Sequence, residues 1–218
     1  MFIGHFALGF AAKRAAPQLS LAALFAAAQF ADILWPFLVA FGVEQVRIQP
    51  GITAFTPLDF VSYPYSHSLL WLCIWGVAFG AVCAMTTKQR MVFAVAAALV
   101  VSHWVLDWIA HRPDMPLYPG SVKVGLGLWN SVQATVAVEV AMFAVGLWIY
   151  ARATRARDAI GRTGLPALAG FLLLAYMGAS IGPPPPSINA LVVTSIAGAA
   201  IIVAWAWWLD RHRAYEHS

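Results

Sequence analysis

The chain has 218 residues, of which 61% are hydrophobic and only 10% are charged, and its net charge is +4. Because a soluble domain is about half apolar and about a quarter charged, this chain cannot cover itself with a polar surface. The composition therefore excludes a soluble enzyme or a soluble nucleic-acid-binding domain. It predicts a single integral membrane domain over residues 1–218, with the lipid bilayer as its partner.

The predicted elements, in chain order, are a half-length apolar helix and about six transmembrane helices, which together form an all-α polytopic bundle. A bilayer core about 30 Å thick needs about 20 apolar residues in a helix. The half-length helix covers residues 2–12, and the spans cover residues 19–43, 67–85, 91–111, 130–151, 165–181 and 187–209. Four prolines at residues 183–186 cannot continue a helix, so they separate the last two spans.

The basic residues predict how these spans are oriented. Ten of the thirteen Lys and Arg residues stand in clusters that fall on one side if the spans alternate. These clusters are at residues 13–14, 88–90, 152–162 and 211–213. Positive clusters mark the cytoplasmic side, which places the long loops at residues 44–66 and 112–129 outside. We therefore expect a multi-pass protein of the cell inner membrane, with both terminal clusters in the cytoplasm and no nucleic-acid partner.

Ionisable residues inside the apolar segments form the candidate site. Such groups are costly in hydrocarbon and usually serve a function. His103, Asp107 and His111 are spaced four apart, so they lie on one face of their helix. Counting about 1.5 Å per residue from the basic clusters places six groups between the middle of the membrane and its outer leaflet. These groups are His5, Asp32, His67, His103, Asp107 and Glu139.

Mixed imidazole and carboxylate groups of this kind are suitable ligands for zinc, manganese or iron. The predicted metal ligands are His5, Asp32, His67, His103 and Asp107. They are too many for one tetrahedral zinc with an open position, and Asp107 could bridge two ions. We expect one or two divalent ions, with zinc favoured, and Glu139 or His111 as a general base or a further ligand.

Each of these residues also has a simpler interpretation. An intramembrane His often forms a packing hydrogen bond, and Asp32 would cap a broken helix. Asp107 would pair with Arg112, and Glu139 with Lys123 or with a helix backbone. A proton relay would use the same kinds of group. The shared depth of the whole set favours the metal site.

The residues in the predicted outer loops indicate structural roles more than chemical ones. Ser66 and Ser68 precede an apolar segment, where serine side chains commonly cap helices. Trp129 is expected in the interfacial belt of aromatic residues. The glycine-rich stretch 119–130 opens the next helix, whose N-terminus could receive an anion.

The chain resembles the bacterial inner-membrane proteins known as membrane-bound metal-dependent hydrolases, the LexA-binding inner-membrane hydrolase-like family. The resemblance covers about the first 130 residues. The residues that carry it are Gly4-His5, Ala31-Asp32-Ile33 with Pro36, Ser66-His67-Ser68, and Ser102-His103 with Asp107. The chain departs from the family pattern in having one acid at the first carboxylate motif and no Arg-Gly pair before the His-Ser.

The order of the candidate ligands is also similar, more faintly, to that of zinc-dependent phospholipase C and the related single-strand nucleases. Those all-helical proteins present His, Asp, His and His-x3-Asp along the chain. The matching residues here are His5, Asp32, His67, His103 and Asp107. The likeness implies phosphoester hydrolysis, with Asp107 as the bridging carboxylate. The later His-x3-Glu of that pattern has only the isolated Glu139 as a counterpart.

The function expected from these residues is a membrane-embedded metal-dependent hydrolase that opens outward and uses a metal-activated water on an ester or phosphoester. A lipid substrate is favoured because the site lies within the bilayer, where an acyl-bearing molecule can arrive laterally. The alternative is a transporter or permease that binds a cation or relays protons through the same His and Asp groups. The sequence shows no inverted repeat and no paired broken helices, which argues against the alternative.

Overall fold

A computed structural model describes residues 1–216, so the last two residues of the predicted domain lie outside the described residues. Over that range the chain forms eight α-helices. They are α1 Ile3–Ala12, α2 Leu21–Ala28, α3 Phe30–Ala40, α4 Leu69–Thr87, α5 Arg90–Ala110, α6 Val132–Ala153, α7 Ala159–Ile181 and α8 Ile188–Arg211. The predicted all-α helical bundle is confirmed.

Three short antiparallel strand pairs lie outside the helices. The pairs are β1 Gln45–Ile48 with β2 Leu58–Ser62, β3 Met115–Pro116 with β4 Lys123–Val124, and β5 Thr154–Ala156 with β6 Arg213–Tyr215. A 3₁₀ turn, Leu128–Asn130, leads into α6. The first two pairs lie on the loops that approach the candidate site. The third joins the start of the α6–α7 connection to the segment that follows α8.

The helices α4 to α8 are each long and apolar enough to cross a membrane, and α2 with α3 would make a sixth span. Large apolar side chains cover their outer faces, such as Val77 at 57% exposed, Val193 at 64% and Leu174 at 70%. An apolar outer surface on this scale is unfavourable in water and suits contact with a lipid bilayer. Length and composition are therefore those of a membrane protein.

The predicted first span, residues 19–43, is broken in the middle. The helices α2 and α3 meet at Gln29 with a bend of 59°. Gln29 has φ −101° and ψ 14°, outside the helical region, and it caps the end of one helix and the beginning of the next. The bend places Asp32 in the first turn of α3, beside α5.

The helix α1 carries His5 and packs closely against α6 through a glycine. A Cβ atom added at Gly146 would lie 2.2 Å from the backbone oxygen of Ala7. At its far end, the Lys13 ammonium donates to Asp210 Oδ2 at 2.9 Å and to Leu19 O at 2.8 Å. The half-length helix is thus fixed at its middle and at its C-terminal end, which sets the position of His5.

Gly146→Ala is expected to destabilise the bundle by about 1–3 kcal/mol, because the added methyl group must push α1 away from α6. Gly170→Ala is the matched control, since a Cβ at Gly170 meets no atom within 4 Å. Thermal unfolding of the detergent-purified proteins measures both changes. Alanine is the better helix former, so the control should melt at the wild-type temperature or slightly above it. Equal melting of Gly146→Ala and wild type would contradict the close packing.

The helix α7 begins at Ala159, six residues before the predicted residue 165. Asp158 caps it, accepting the backbone N–H of Gly161 at 2.8 Å and lying 2.7 Å from His212 Nδ1. The hydrogen bond with His212 lowers the pKa of the exposed Asp158 carboxyl. The polar first turn, which includes Arg162, concealed this start in the sequence. Three contacts bring the basic clusters at residues 13–14, 152–162 and 211–213 to one end of the molecule. They are the Asp158–His212 hydrogen bond, the β5–β6 pairing and the Lys13–Asp210 ion pair.

Candidate metal centre

The buried carboxylate of Asp107 lies at the centre of the site. His103 lies one turn before it on α5, and His111 directly follows the last residue of that helix. The Nε2 atom of His103 is 3.1 Å from Asp107 Oδ2, and that of His111 is 3.8 Å from the same oxygen. The four-residue spacing therefore brings three polar side chains together along one face of α5.

Three further predicted ligands come from other elements, and two of them, His5 and His67, face this carboxylate. His5 on α1 places Nε2 3.1 Å from Asp107 Oδ1. His67, just before α4, places Nε2 3.8 Å from Asp107 Oδ2 and 3.5 Å from Asp32 Oδ1. The same Asp32 oxygen is 3.8 Å from His103 Nε2. The Met1 nitrogen also contacts Asp107 Oδ1.

These side chains form two groups that could hold a metal ion. One is His5, His103 and Asp107, and the other is Asp32, His67 and His103. In each group the three donor atoms lie within 4.8 Å of one another. The Asp32 side chain is 40% exposed, whereas those of the other members are at most 3% exposed. The site is therefore closed on most sides and open at Asp32.

The hydrogen bonds of His103 fix which of its ring nitrogens is free. Its Nδ1 lies 2.9 Å from the backbone oxygen of Ala28, which can only accept, so Nδ1 carries the proton. Its Nε2 faces Asp107 Oδ2 but has no hydrogen-bond partner among residues 1–216. Two buried acceptors that face each other repel unless a proton or a metal ion lies between them. This is the tautomer that a metal ligand requires.

A second chain of hydrogen bonds orients His67. Ser66 Oγ donates to Glu44 Oε2 at 2.5 Å, so it accepts from His67 Nδ1 at 2.7 Å, which leaves Nε2 free to face the carboxylates. The buried Glu44 carboxylate also accepts the backbone N–H groups of Tyr65 and Ser66. The prediction that Ser66 caps α4 is wrong, because Ser68 is the cap and accepts from Trp71 N at 3.3 Å.

A third carboxylate orients His111, which follows the last residue of α5. Asp114 Oδ1 accepts from His111 Nδ1 at 2.9 Å and from the Tyr63 hydroxyl at 3.0 Å. Burial and the nearby Asp114 raise the pKa of the Tyr63 phenol well above its usual value, so it remains a donor. Burial also lowers the pKa of the His111 imidazole, which favours its neutral form.

The residues around His111 correct two of the simpler interpretations. Arg112 pairs with Asp59 and with Asp114, and not with Asp107 as the simpler interpretation had it. Trp129 is buried in the bundle, with its ring centroid 4.1 Å from that of His111, and does not stand in an interfacial belt. The aromatic ring closes this side of the cluster to water.

Glu139, on α6, lies next to the cluster but binds the backbone of α1. Its Oε2 accepts the N–H groups of Phe2 at 2.8 Å and Gly4 at 3.1 Å. This is the helix-backbone interpretation of Glu139, and it satisfies donors that the first turn of a helix leaves unpaired. Its Oε1 has no partner in the described part of the chain. Glu139 thereby holds the beginning of α1, and with it His5, against the site.

A cavity of about 740 Å³ leads to the cluster. Asp32, His67, Asp107 and His111 stand at its polar end, and Gln29 lies beside them. The rest of its wall comes mainly from apolar side chains of α1, α2, α7 and α8 and from the prolines at residues 183–186. At this polar end, Asp32 has the most exposed side chain of the four.

Comparison with known proteins gives no relative of this chain: no family model, no curated protein and no solved structure matches it. The resemblance to the membrane-bound metal-dependent hydrolases therefore stays a prediction. The chemistry of the site has to be judged from its own donor atoms and their surroundings.

Sequence reasoning did not find the groups that orient the histidines. Glu44 ends an apolar run and stands 22 residues before Ser66, its partner. One signal in the sequence could have found it: the chain has only nine acidic residues, so each of them is a candidate for a specific role. The carbonyl of Ala28 gave no signal, since it became available only through the bend at Gln29.

Proposed function

We propose that this protein is a membrane-embedded metal-dependent hydrolase that acts on an ester or a phosphoester. The observation that carries the proposal is the Nε2 of His103, which lies 3.1 Å from Asp107 Oδ2 in a buried setting and has no hydrogen-bond partner within residues 1–216. Three more histidines direct a ring nitrogen toward the same carboxylate. Four imidazole nitrogens around one carboxylate are a donor set that a divalent cation can bind together.

The donor set indicates which ions fit. Imidazole nitrogens and carboxylate oxygens without thiolates suit zinc, and also manganese or iron. Asp32, His67, His103 and Asp107 would hold the principal ion, and His5 with Asp107 would hold a second. The two oxygens of Asp107 have different histidine neighbours, His5 at Oδ1 and the others at Oδ2, as expected of a carboxylate shared by two ions. Zinc, in one or two copies, is the favoured cofactor.

The residues of the chain supply the surroundings that such a reaction needs. A bound ion would polarise the ester or phosphoryl oxygen and activate a water molecule. Asp32 stands at the open side, where a substrate enters. His111, neutral and hydrogen-bonded to Asp114, can take up a proton at Nε2 while Asp114 stabilises the resulting imidazolium. Trp129 and Tyr63 cover His111 and exclude bulk water.

The orientation follows from the basic clusters. Three of them share one end of the bundle, and positive residues mark the cytoplasmic side. The loops that carry Glu44, Ser66 and Asp114 then face outward. We place the protein in the cell inner membrane, with the candidate site opening toward the outer side.

The alternative function, transport of a cation or of protons, is favoured by one observation. The bent pair α2–α3 lies beside the site, and transporters commonly build ion sites at broken helices. Transporters made of repeats carry such breaks in pairs. Among residues 1–216 this is the one bent pair with the length and composition of a span. The hydrolase is therefore the better-supported proposal.

Metal analysis of the detergent-purified wild-type protein is the direct test. We expect about one to two equivalents of zinc, manganese or iron per chain, and hydrolysis of nitrophenyl esters or phosphoesters that stops on treatment with a chelator and returns with zinc. A protein that stays metal-free after reconstitution would end the proposal. Bound zinc without hydrolysis, together with zinc uptake into proteoliposomes, would establish the transporter instead.

A further inference from the structure

The cavity beside the metal-binding groups has the size and lining of a ligand site. Its volume of about 740 Å³ falls within the range of about 300–1,000 Å³ that is usual for such sites. Away from the cluster, its wall is formed by apolar side chains, among them Phe6, Phe25, Phe171, Leu191 and Ile202. A long apolar ligand portion would therefore be stable there.

Small residues on α7 and α8 give the cavity the form of a slot. Gly178 and Gly198 line it, and a Cβ atom added at either position would meet nothing within 4 Å. The α8 residues of the wall run from Ala190 to Val203, a rise of about 20 Å along the helix axis. Gly178 and Ala179 are exposed on the outside of the bundle. The slot thus runs parallel to the spans and opens toward the surrounding bilayer.

The polar end of the slot offers groups for the head of a ligand. The Asp32 side chain is 40% exposed there. Gln29 lines the same end and is only 6% exposed, yet its side-chain oxygen has no hydrogen-bond partner in the part of the chain that the structure describes. A buried amide oxygen without a partner is unfavourable, and the N–H₂ group of the same amide can donate to the ester carbonyl of a ligand.

We infer that the slot binds one acyl chain of a membrane lipid and holds the lipid's ester group at the Asp32 end. Three observations carry this: a mainly apolar slot along two spans, its opening toward the bilayer, and ionisable side chains that are confined to one end. The lipid as substrate rests on the proposed hydrolase. Binding of the chain in the slot does not, because Gly178 and Gly198 lie outside the groups that could hold a metal.

Photolabelling in liposomes tests the inference. The probe is a phosphatidylcholine with a diazirine in one acyl chain, mixed into the vesicles that carry the protein. Mass spectrometry then compares labelling of the slot residues on α7 and α8 with labelling of the outward face of α4, which reports general lipid contact. We expect excess labelling of the slot residues in the wild-type protein.

Gly198→Phe and Gly178→Phe fill the slot from two different helices, α8 and α7, and each should lose the excess labelling. Gly170→Phe is the control, because Gly170 has equal space but does not line the cavity. Two positions are substituted so that, if one variant does not fold, the other still tests the inference. Slot labelling no higher than that of α4, or unchanged labelling in the filled variants, would overturn the inference.

The two proposals fail in different ways. Lipid capture by a protein that binds no metal would keep the inference and end the hydrolase. Hydrolysis by a metal-loaded protein that captures no lipid would keep the hydrolase and end the inference. Asp107→Asn should lose its metal and still capture the probe in the slot, since Asp107 lies at the polar end and not along the chain.

Discussion

Asp107→Asn is expected to remove the bound metal and to abolish hydrolysis. Both oxygens of Asp107 face histidine nitrogens, so each of the two groups of metal-binding side chains loses a central charge. Loss of a residue that merely orients a ligand lowers metal affinity by about 10- to 100-fold, and loss of this shared carboxylate should exceed that range. The amide has the same shape, so the bundle should still form.

Elemental analysis and a competing chelator measure the effect, with gel filtration and thermal unfolding as checks on folding. Asp158→Asn is the matched control, because it makes the same chemical change at the opposite end of the molecule. An asparagine side chain at this position can still cap α7, and the metal content of the control should equal that of wild type. An Asp107→Asn protein that folds and retains its metal would refute the assignment of Asp107 as the central ligand.

Glu44→Gln is expected to lower the affinity for zinc by about 10- to 100-fold although Glu44 lies outside the ligand set. Glu44 accepts the proton of Ser66, which in turn accepts from His67 Nδ1. A glutamine can donate its N–H to Ser66, which then donates to His67 Nδ1. That reversal moves the imidazole proton to Nε2, where it blocks the position that faces the metal.

The chelator titration is repeated on this variant, and the nitrogen NMR shifts of the imidazoles report the tautomer of His67. Ser66→Ala should give a smaller loss, because it removes the relay without reversing it. Ser68→Ala is the control, since Ser68 caps α4 and does not contact the site. Wild-type affinity and an unchanged tautomer in Glu44→Gln would show that the relay has no part in metal binding.

The fold was readable from the sequence where apolar length alone decides it. Helices such as α4 and α5 have nearly the predicted bounds, because hydrocarbon leaves a spanning chain little choice but a helix. A break near Asp32 was one interpretation of the sequence, but its position at Gln29 was not readable, because it depends on how α2 and α3 pack against α5 and α8. The early start of α7 was missed because Asp158 and His212, which fix it, lie 54 residues apart.

The candidate site could be predicted in part, because helix geometry and distance along the chain decide where some of its residues lie. Helix geometry places His103, Asp107 and His111 together, and counting residues from the basic clusters gives the depth of His5 and Asp32. Which atoms face one another depends on side-chain directions that spacing does not encode. The binding of α1 by Glu139 and the relay through Glu44 are of this kind, because both join residues distant in the chain.

The bend between α2 and α3 determines the protonation of a residue on a different helix. In a continuous helix, the carbonyl of Ala28 would accept the backbone N–H of Asp32. Within residues 1–216 the bend leaves Ala28 O without that bond, and it accepts the His103 Nδ1 proton instead. A substitution that straightened this span would restore the hydrogen bond between Ala28 O and the backbone N–H of Asp32. His103 would then lose the acceptor that holds its proton on Nδ1. A deformation of the backbone thus selects one tautomer of an imidazole that belongs to another segment.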